Sequence, residues 1–158
     1  MERKIVFVCS GNICRSPMAD AIARRNLTDH GATDVHVESA GTLRIEGRPA
    51  DPHAITALAK IGIDFREHRS QGVYPRVVSD ADAILVMSPH HVDGVLEVDP
   101  SCRSRIVELW RHADVTDLYT EIEDPVGQDL ATFIDCRELI EECLDNWLPR
   151  FLAGESPA

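Results

Sequence analysis

The most constraining feature of the chain is a short apolar run that leads directly into a turn carrying two cysteines and an arginine. Ile5-Val6-Phe7-Val8 precedes Cys9-Ser10-Gly11-Asn12-Ile13-Cys14-Arg15-Ser16-Pro17. The apolar run predicts a buried strand, and Ser16-Pro17 predicts a helix start with Ser16 as the N-cap. A helix N-terminus presents unpaired N–H groups and partial positive charge. The stretch therefore predicts a loop that binds an anion such as phosphate, or holds a thiolate.

Length and charge exclude several classes of protein. With 158 residues, 44% of them hydrophobic, the chain is predicted to form one globular domain over residues 1–158. The net charge of -11 argues against nucleic acid or a membrane surface as a partner. Positive charge must then be local, from Arg15 and backbone amides. The oligomeric state stays open.

Two further features predict a cytoplasmic protein. The sequence shows neither a signal-peptide core nor an apolar run of membrane-spanning length. Its five cysteines are an odd number without secretory context, which favours reduced thiols over a disulfide framework.

Strand and helix patterns alternate along the rest of the chain. Helices are predicted over 17–30, from Asp51-Pro52 to Gly62, from Ser88-Pro89 and from Asp129 onward, and strands over 35–39, 83–87 and 104–109. Loops are predicted over 40–51 and 111–128. This alternation is typical of an α/β fold, here a single-domain three-layer sandwich with a short four-stranded parallel sheet flanked by helices. Such sheets bind ligands at the carboxyl ends of their strands, where the loop after the first strand lies.

The Cys-x5-Arg spacing of Cys9 and Arg15 suits the hydrolysis of a phosphate monoester. The intervening loop can aim successive amides at one phosphate, while the guanidinium of Arg15 holds two oxygens and aligns the phosphorus with Cys9. Cys9 must attack as a thiolate, which positive charge at a helix N-terminus favours. The Ser16 hydroxyl can donate a hydrogen bond to that thiolate. The predicted phosphate-binding residues are Ser10, Gly11, Asn12, Ile13, Cys14 and Arg15.

Two residue types inside the loop suit a tight turn around phosphate. Gly11 permits close approach of the backbone, and Asn12 tolerates a left-handed conformation.

Expulsion of an alkoxide or phenoxide also requires a proton donor. Asp124, followed by Pro125, is the candidate, and its carboxylate would then activate water against a phosphocysteine. An Asp-Pro pair is as often a turn start, so the local sequence leaves both interpretations open.

Taken together, these segments resemble the low-molecular-weight protein tyrosine phosphatase family over essentially the whole chain. The matching segments are the Cys-x4-Cys-Arg-Ser-Pro stretch, Ser39-Ala40-Gly41-Thr42, Gly47-Arg48, Asp51-Pro52 and Asp124-Pro125. The resemblance implies Cys9 as nucleophile, Arg15 as phosphate clamp and Asp124 as general acid and base, with no cofactor. A metal is not expected, because the histidines, including adjacent His90-His91, lack a metal-ligand spacing.

The resemblance also implies supporting roles. By position, Asn12, Ser16, Ser39 and His68 would support the loop through hydrogen bonds. Cys14 matches the second cysteine of the family's loop and would form a reversible disulfide with Cys9 that protects it from overoxidation.

The implied partner is a phosphorylated protein, with phosphotyrosine as the expected side chain. The chain departs from many members where aromatic residues line the ring slot: it has Val126-Gly127 after the Asp-Pro pair and Arg44 near the position of a tryptophan. Leu43 and Tyr119 are the alternative ring walls.

Several rival interpretations are weaker. Protein arginine phosphatases resemble this family but carry threonine in place of Ile13, which favours phosphotyrosine here. Thiol-dependent arsenate reductases need cysteines in the segment 87–91, which has none. A phosphocysteine carrier of sugar transport, or a non-catalytic phosphoprotein-binding module, would not need Cys9, Arg15 and Asp124 together.

Overall fold

Four short strands form one parallel sheet in the order β2-β1-β3-β4. The computed structural model describes residues 2–157. The strands are β1 (Arg3–Cys9), β2 (Val35–Gly41), β3 (Ala83–Val86) and β4 (Ile106–Glu108). This confirms the predicted four-stranded parallel sheet.

Helices cover both faces of the sheet. They are α1 (Arg15–Asp29), α2 (Pro52–Ala59), α3 (Pro75–Val78), α4 (Pro89–Val98) and α5 (Leu130–Leu152), with 3-10 turns at Pro100–Arg105 and Leu109–His112. The connection from β1 through α1 leads to β2 at one edge of the sheet, and the connection from β3 through α4 leads to β4 at the other edge. Because both crossovers are right-handed and run in opposite directions, α1 and α4 lie on opposite faces of the sheet. The long α5 packs on α1 and α2, which completes the predicted three-layer arrangement. No helix of residues 2–157 has the length and apolar character to span a membrane.

The predicted apolar strand lies at the centre of the core. Ile5, Val6, Phe7 and Val8 are fully buried between β2 and β3. The strand ends at Cys9, which pairs with Gly41. The predicted loop at 40–51 therefore begins two residues later than expected, because β2 continues beside β1 to Gly41, which also bridges to Gly72.

The predicted helix start at Ser16-Pro17 is wrong in one respect. Helix α1 begins at Arg15 with Cys14 as the N-cap, and no side chain caps it. The Ser16 hydroxyl instead contacts Cys9 and Asn12, so it serves the loop rather than the helix end. Pro17 fits in the first turn because an N–H there has no intrahelical partner to lose.

Candidate active site

Asn12 is the structural centre of the loop after β1. It is fully buried and adopts a left-handed conformation, with φ 57°. Its side-chain amide donates to Ser16 Oγ (2.8 Å) and to Ser39 Oγ (2.9 Å), while its Oδ1 accepts from the Gln71 N–H (3.0 Å). His68 Nε2 lies 2.8 Å from the Asn12 carbonyl oxygen. The structure thus brings all four predicted supporting residues into one hydrogen-bonded group and adds Gln71.

The thiol of Cys9 faces a hydroxyl whose orientation is set by its neighbours. Cys9 is buried, and its Sγ lies 2.9 Å from Ser16 Oγ. Because the Asn12 amide donates to Ser16 Oγ, the Ser16 hydrogen is free to point at the sulfur. The arrangement stabilises negative charge on Cys9.

The Arg15 side chain links the loop to the second half of the chain. It is 2% exposed, and its Nη1 donates to Ser88 Oγ and to the Ile122 carbonyl, both at 2.9 Å. Its Nη2 lies 3.4 Å from Ser10 Oγ and 3.4 Å from Asp124 Oδ2. Within residues 2–157 its Nε has no hydrogen-bond partner. A buried donor of this kind is costly when unpaired, and an anion in the loop would satisfy it.

Asp124 lies at the open side of the same guanidinium group. Its side chain is 38% exposed, and Oδ2 contacts Arg15 Nη2. Its Oδ1 accepts from the Val126 N–H at 3.1 Å. The carboxylate thus shapes a turn with one oxygen, as one interpretation of the Asp-Pro pair expects, and contacts Arg15 with the other.

Sequence reasoning missed a second buried group around Arg15. Ser88 and His91 are both fully buried, and Ser88 Oγ donates to Glu121 Oε1 at 2.9 Å. His91 Nδ1 accepts from the Ser88 N–H (3.0 Å), and His91 Nε2 lies 3.0 Å from Ser10 Oγ. The sequence signal for this group is the predicted serine N-cap, which the structure confirms at Ser88. His91 follows three residues later, and its side chain accepts a hydrogen bond from the Ser88 backbone.

The cysteines other than Cys9 are buried thiols held in the protonated form. Burial beside Asp51 and Asp124 raises the pKa of Cys14 well above the usual range for a thiol. Burial likewise raises the pKa of Cys136 and of Cys143 to about 12 each. All five cysteines are free.

Apolar side chains stand around the loop. A Cβ at Gly11 would lie 3.7 Å from Ile13 Cδ1 and 3.9 Å from Ile45 Cδ1. Leu43 and Val126 are large apolar residues that are more than half exposed.

The other two residues expected at the ring slot have different surroundings. Arg44 lies with its guanidinium over the Tyr74 ring, 5.1 Å from the centroid. Tyr119 lines a cavity of about 620 Å³ that Asp124 also lines, whereas Cys9 and Arg15 do not.

Among residues 2–157 no three His, Cys, Asp or Glu side chains are grouped to hold a metal ion.

A buried thiol at a strand end, an arginine six residues later and a distant carboxylate against that arginine define the site class of cysteine-dependent phosphatases. Comparison with known proteins agrees. The family model described as low molecular weight phosphotyrosine protein phosphatase matches residues 4–156. The chain belongs to this family, and the Cys9 to Arg15 spacing fits its phosphate-binding loop.

The relatives include two phosphatase specificities. The chain is 37% identical over 153 residues to the probable low molecular weight protein-tyrosine-phosphatase EpsP of Ralstonia nicotianae, covering 97% of this chain and 99% of that protein. It is 32% identical to the low molecular weight protein-tyrosine-phosphatase Wzb of Escherichia coli, covering 93% and 94%. The solved arginine phosphatase YwlE of Geobacillus stearothermophilus is 30% identical, with a TM-score of 0.84 and coverage of 96% and 94%.

Proposed function

We propose that this chain hydrolyses phosphotyrosine in proteins through a phosphocysteine intermediate, with Cys9 as nucleophile, Arg15 as phosphate clamp and Asp124 as general acid and base. The observation that carries the proposal is the surroundings of Arg15. Its Nη1 is anchored on Ser88 and Ile122, while its buried Nε has no partner among residues 2–157 and its Nη2 faces Asp124. Hydrogen bonds at Nη1 thus hold the guanidinium group in place, while its Nε stays available to a phosphate in the loop.

In the first step the Cys9 thiolate attacks phosphorus in line with the leaving oxygen. The S–P bond forms as the O–P bond breaks, and Asp124 gives its proton to the departing oxygen. Arg15 and the loop amides of Ser10 to Cys14 hold the equatorial oxygens of the phosphoryl group during the transfer.

In the second step the Asp124 carboxylate takes a proton from water, whose oxygen attacks phosphorus. The S–P bond breaks and the electron pair returns to sulfur. The hydrogen bond from Ser16, 2.9 Å from Cys9 Sγ, stabilises the departing thiolate. Inorganic phosphate then leaves the loop.

The surroundings of the loop favour phosphotyrosine over phosphoarginine. Ile13 and Ile45 are apolar neighbours of Gly11, and the exposed Leu43 and Val126 add apolar surface, which suits the face of a phenyl ring. The relatives EpsP and Wzb are named as tyrosine phosphatases. The arginine phosphatase relatives support phosphoarginine as the second candidate. The branched apolar Ile13 argues against it, because the family resemblance places threonine at this position in arginine phosphatases.

The cysteines support a reducing compartment, and the cytoplasm is the proposed location. Five free and buried thiols are typical of proteins that are not exposed to oxidising conditions.

One assay tests the proposal. The wild type, Cys9→Ser and the buried control Cys102→Ser are each incubated with an aryl phosphate, a phosphotyrosine peptide and a phosphoarginine peptide. We expect wild type and Cys102→Ser to release phosphate from the first two substrates and Cys9→Ser to release none. Turnover that survives in Cys9→Ser would refute the mechanism, and faster turnover of phosphoarginine would make the second candidate the function. In Ile13→Thr we expect a relative gain toward phosphoarginine.

A further inference from the structure

His91 is a buried imidazole with a defined tautomer at the edge of the phosphate-binding loop. Its Nδ1 lies 3.0 Å from the Ser88 backbone nitrogen. A backbone N–H can only donate, so Nδ1 is the acceptor and the single proton of the neutral ring is on Nε2. That Nε2–H group therefore donates to Ser10 Oγ, 3.0 Å away.

The surroundings of His91 keep the ring neutral. The residue is fully buried on the first turn of α4. Burial, together with the positive charge of Arg15 and the proximity of His90, lowers the pKa of His91 to about 3. The direction of the hydrogen bond to Ser10 is therefore the same throughout the neutral pH range.

Ser10 Oγ and Asp124 Oδ2 converge on one nitrogen. Each lies 3.4 Å from Arg15 Nη2, so the hydroxyl and the carboxylate both face the same guanidinium nitrogen. His91 donates to one lone pair of Ser10 Oγ and Arg15 Nη2 donates, over the longer distance, to the other. When Nη2 turns to the phosphoryl oxygens, the second lone pair becomes available to a water hydrogen. A further neighbour of Ser10 Oγ is Nε2 of the exposed His90, at 3.5 Å.

We propose that Ser10 is a further catalytic residue that positions the hydrolytic water, and that His91 is the positioning residue that orients Ser10. This inference rests on the proposed function. One water hydrogen is bound by Asp124 and the other by Ser10 Oγ, so that a lone pair of the water points at the phosphorus of phosphocysteine. Asp124 takes the first hydrogen as a proton during attack, the S–P bond breaks, and Ser10 keeps its own hydrogen.

This arrangement distinguishes water from alcohols as acceptors of the phosphoryl group. Water has two hydrogens and uses both Asp124 and Ser10. An alcohol has a single O–H hydrogen, which Asp124 takes, so it gains little from Ser10. Loss of the Ser10 hydroxyl should therefore slow hydrolysis more than transfer to an alcohol.

The test is the partition of the phosphoryl group between water and added methanol, measured as the ratio of aryl alcohol to inorganic phosphate released from an aryl phosphate. In Ser10→Ala we expect the ratio of transfer to hydrolysis to rise roughly tenfold, the size of one lost hydrogen bond. Ser10→Thr keeps the hydroxyl and should keep the wild-type ratio. His91→Phe should raise the ratio as Ser10→Ala does, while His90→Gln and the exposed control Ser104→Ala should leave it unchanged.

Two results would overturn the proposal. One is an unchanged ratio in Ser10→Ala, even with both rates lowered, because a merely structural role slows transfer and hydrolysis together. The other is a shift in His90→Gln equal to that in His91→Phe, because the orienting residue would then not be His91. Failure of the proposed function would be recognised separately, as absence of turnover in the wild type. Thermal unfolding of each variant shows that a changed ratio comes from folded protein.

Discussion

Ser16 Oγ and Cys9 Sγ lie 2.9 Å apart in the buried part of the loop. Asn12 donates into the same hydroxyl oxygen from 2.8 Å, so the hydroxyl hydrogen is directed to the sulfur. In the proposed mechanism, a neutral donor at this place stabilises the thiolate both before it attacks and when it is expelled. It does so without bringing a second positive charge into the phosphate site.

Replacement of Ser16 by alanine should therefore lower kcat with little effect on KM. We expect a loss of roughly tenfold to a hundredfold, as for other single hydrogen bonds to a charge that forms in the reaction. Steady-state kinetics with an aryl phosphate measure the change, with Ser104→Ala as the control. A raised KM at unchanged kcat would mean that Ser16 acts in phosphate binding instead.

Replacement of Asp124 by asparagine should lower kcat most for substrates with poor leaving groups. Asparagine keeps the turn contact to the Val126 N–H but has no proton to give. We expect kcat to fall by roughly a hundredfold or more for alkyl phosphates and much less for nitrophenyl phosphate. The exposed neighbour Glu123, changed to glutamine, is the matched control. Equal losses across the leaving-group series would count against Asp124 as the acid.

Gly41 is required by the packing of β2 against the loop. A Cβ at this position would lie 2.5 Å from the Ser10 carbonyl oxygen and 2.9 Å from the Asn12 nitrogen. Gly41→Ala should therefore displace the loop and abolish most activity. Gly31 has φ 67° and open space around its Cβ position, so Gly31→Ala should cost only about 1 kcal/mol of stability and leave kcat unchanged. Activity assays and urea unfolding of the two variants make the comparison, and an active Gly41→Ala enzyme would contradict it.

Acid should destabilise the fold partly through His91. The pKa of His91 is about 3 in the folded chain, against 6.5 for an ordinary histidine. Between these values the unfolded chain binds a proton that the folded chain does not, so the free energy of unfolding falls as pH drops, by at most about 1.4 kcal/mol per pH unit.

The stabilities of His91→Gln and wild type, measured by urea unfolding at about pH 7 and about pH 5, test this origin. The variant should lose less stability on acidification, because glutamine does not titrate. The buried Asp20, whose pKa is raised by burial, contributes the opposite dependence in both proteins and cancels in the comparison. An equal loss of unfolding free energy in the two proteins on acidification would show that His91 does not set the acid sensitivity.

The proposed disulfide partner of Cys9 predicts a difference in recovery from peroxide. A sulfenic acid on Cys9 would condense with the Cys14 thiol, releasing water and forming a disulfide that added thiol reduces. Wild type should regain most activity with thiol, while Cys14→Ser should lose it permanently as Cys9 oxidises further. Reversible inactivation of Cys14→Ser at the wild-type rate would exclude a protective role.

Periodicity predicted most of the fold because the core residues repeat with the period of their element. The uninterrupted run at 5–8 became the central strand, and the stripe after Asp129 became α5. The four-residue α3 and the two 3-10 turns were not predicted, since they are too short to show a period.

The candidate site was predictable where one residue type carries the chemistry. Few residue types can serve as nucleophile, clamp and acid, the roles proposed for Cys9, Arg15 and Asp124, and the structure places Arg15 against Asp124. The contacts of Ser88 with Arg15 and Glu121, and of His91 with Ser10, join the end of β3, the start of α4 and the segment before Asp124. No local pattern contains such contacts, because only the folded chain brings these segments together.

Arg15 Nη1 donates to both Ser88 Oγ and the Ile122 carbonyl, and the second contact affects how Asp124 is placed for the reaction. One residue separates Ile122 from Asp124, so the hydrogen bond from Nη1 to the Ile122 carbonyl holds the segment that carries Asp124 beside Arg15. Arg15, Asp124 and the segment that leads to Asp124 are already in contact in this structure. In the proposed mechanism, the acid therefore needs no closing motion to reach the clamp before the chemical step.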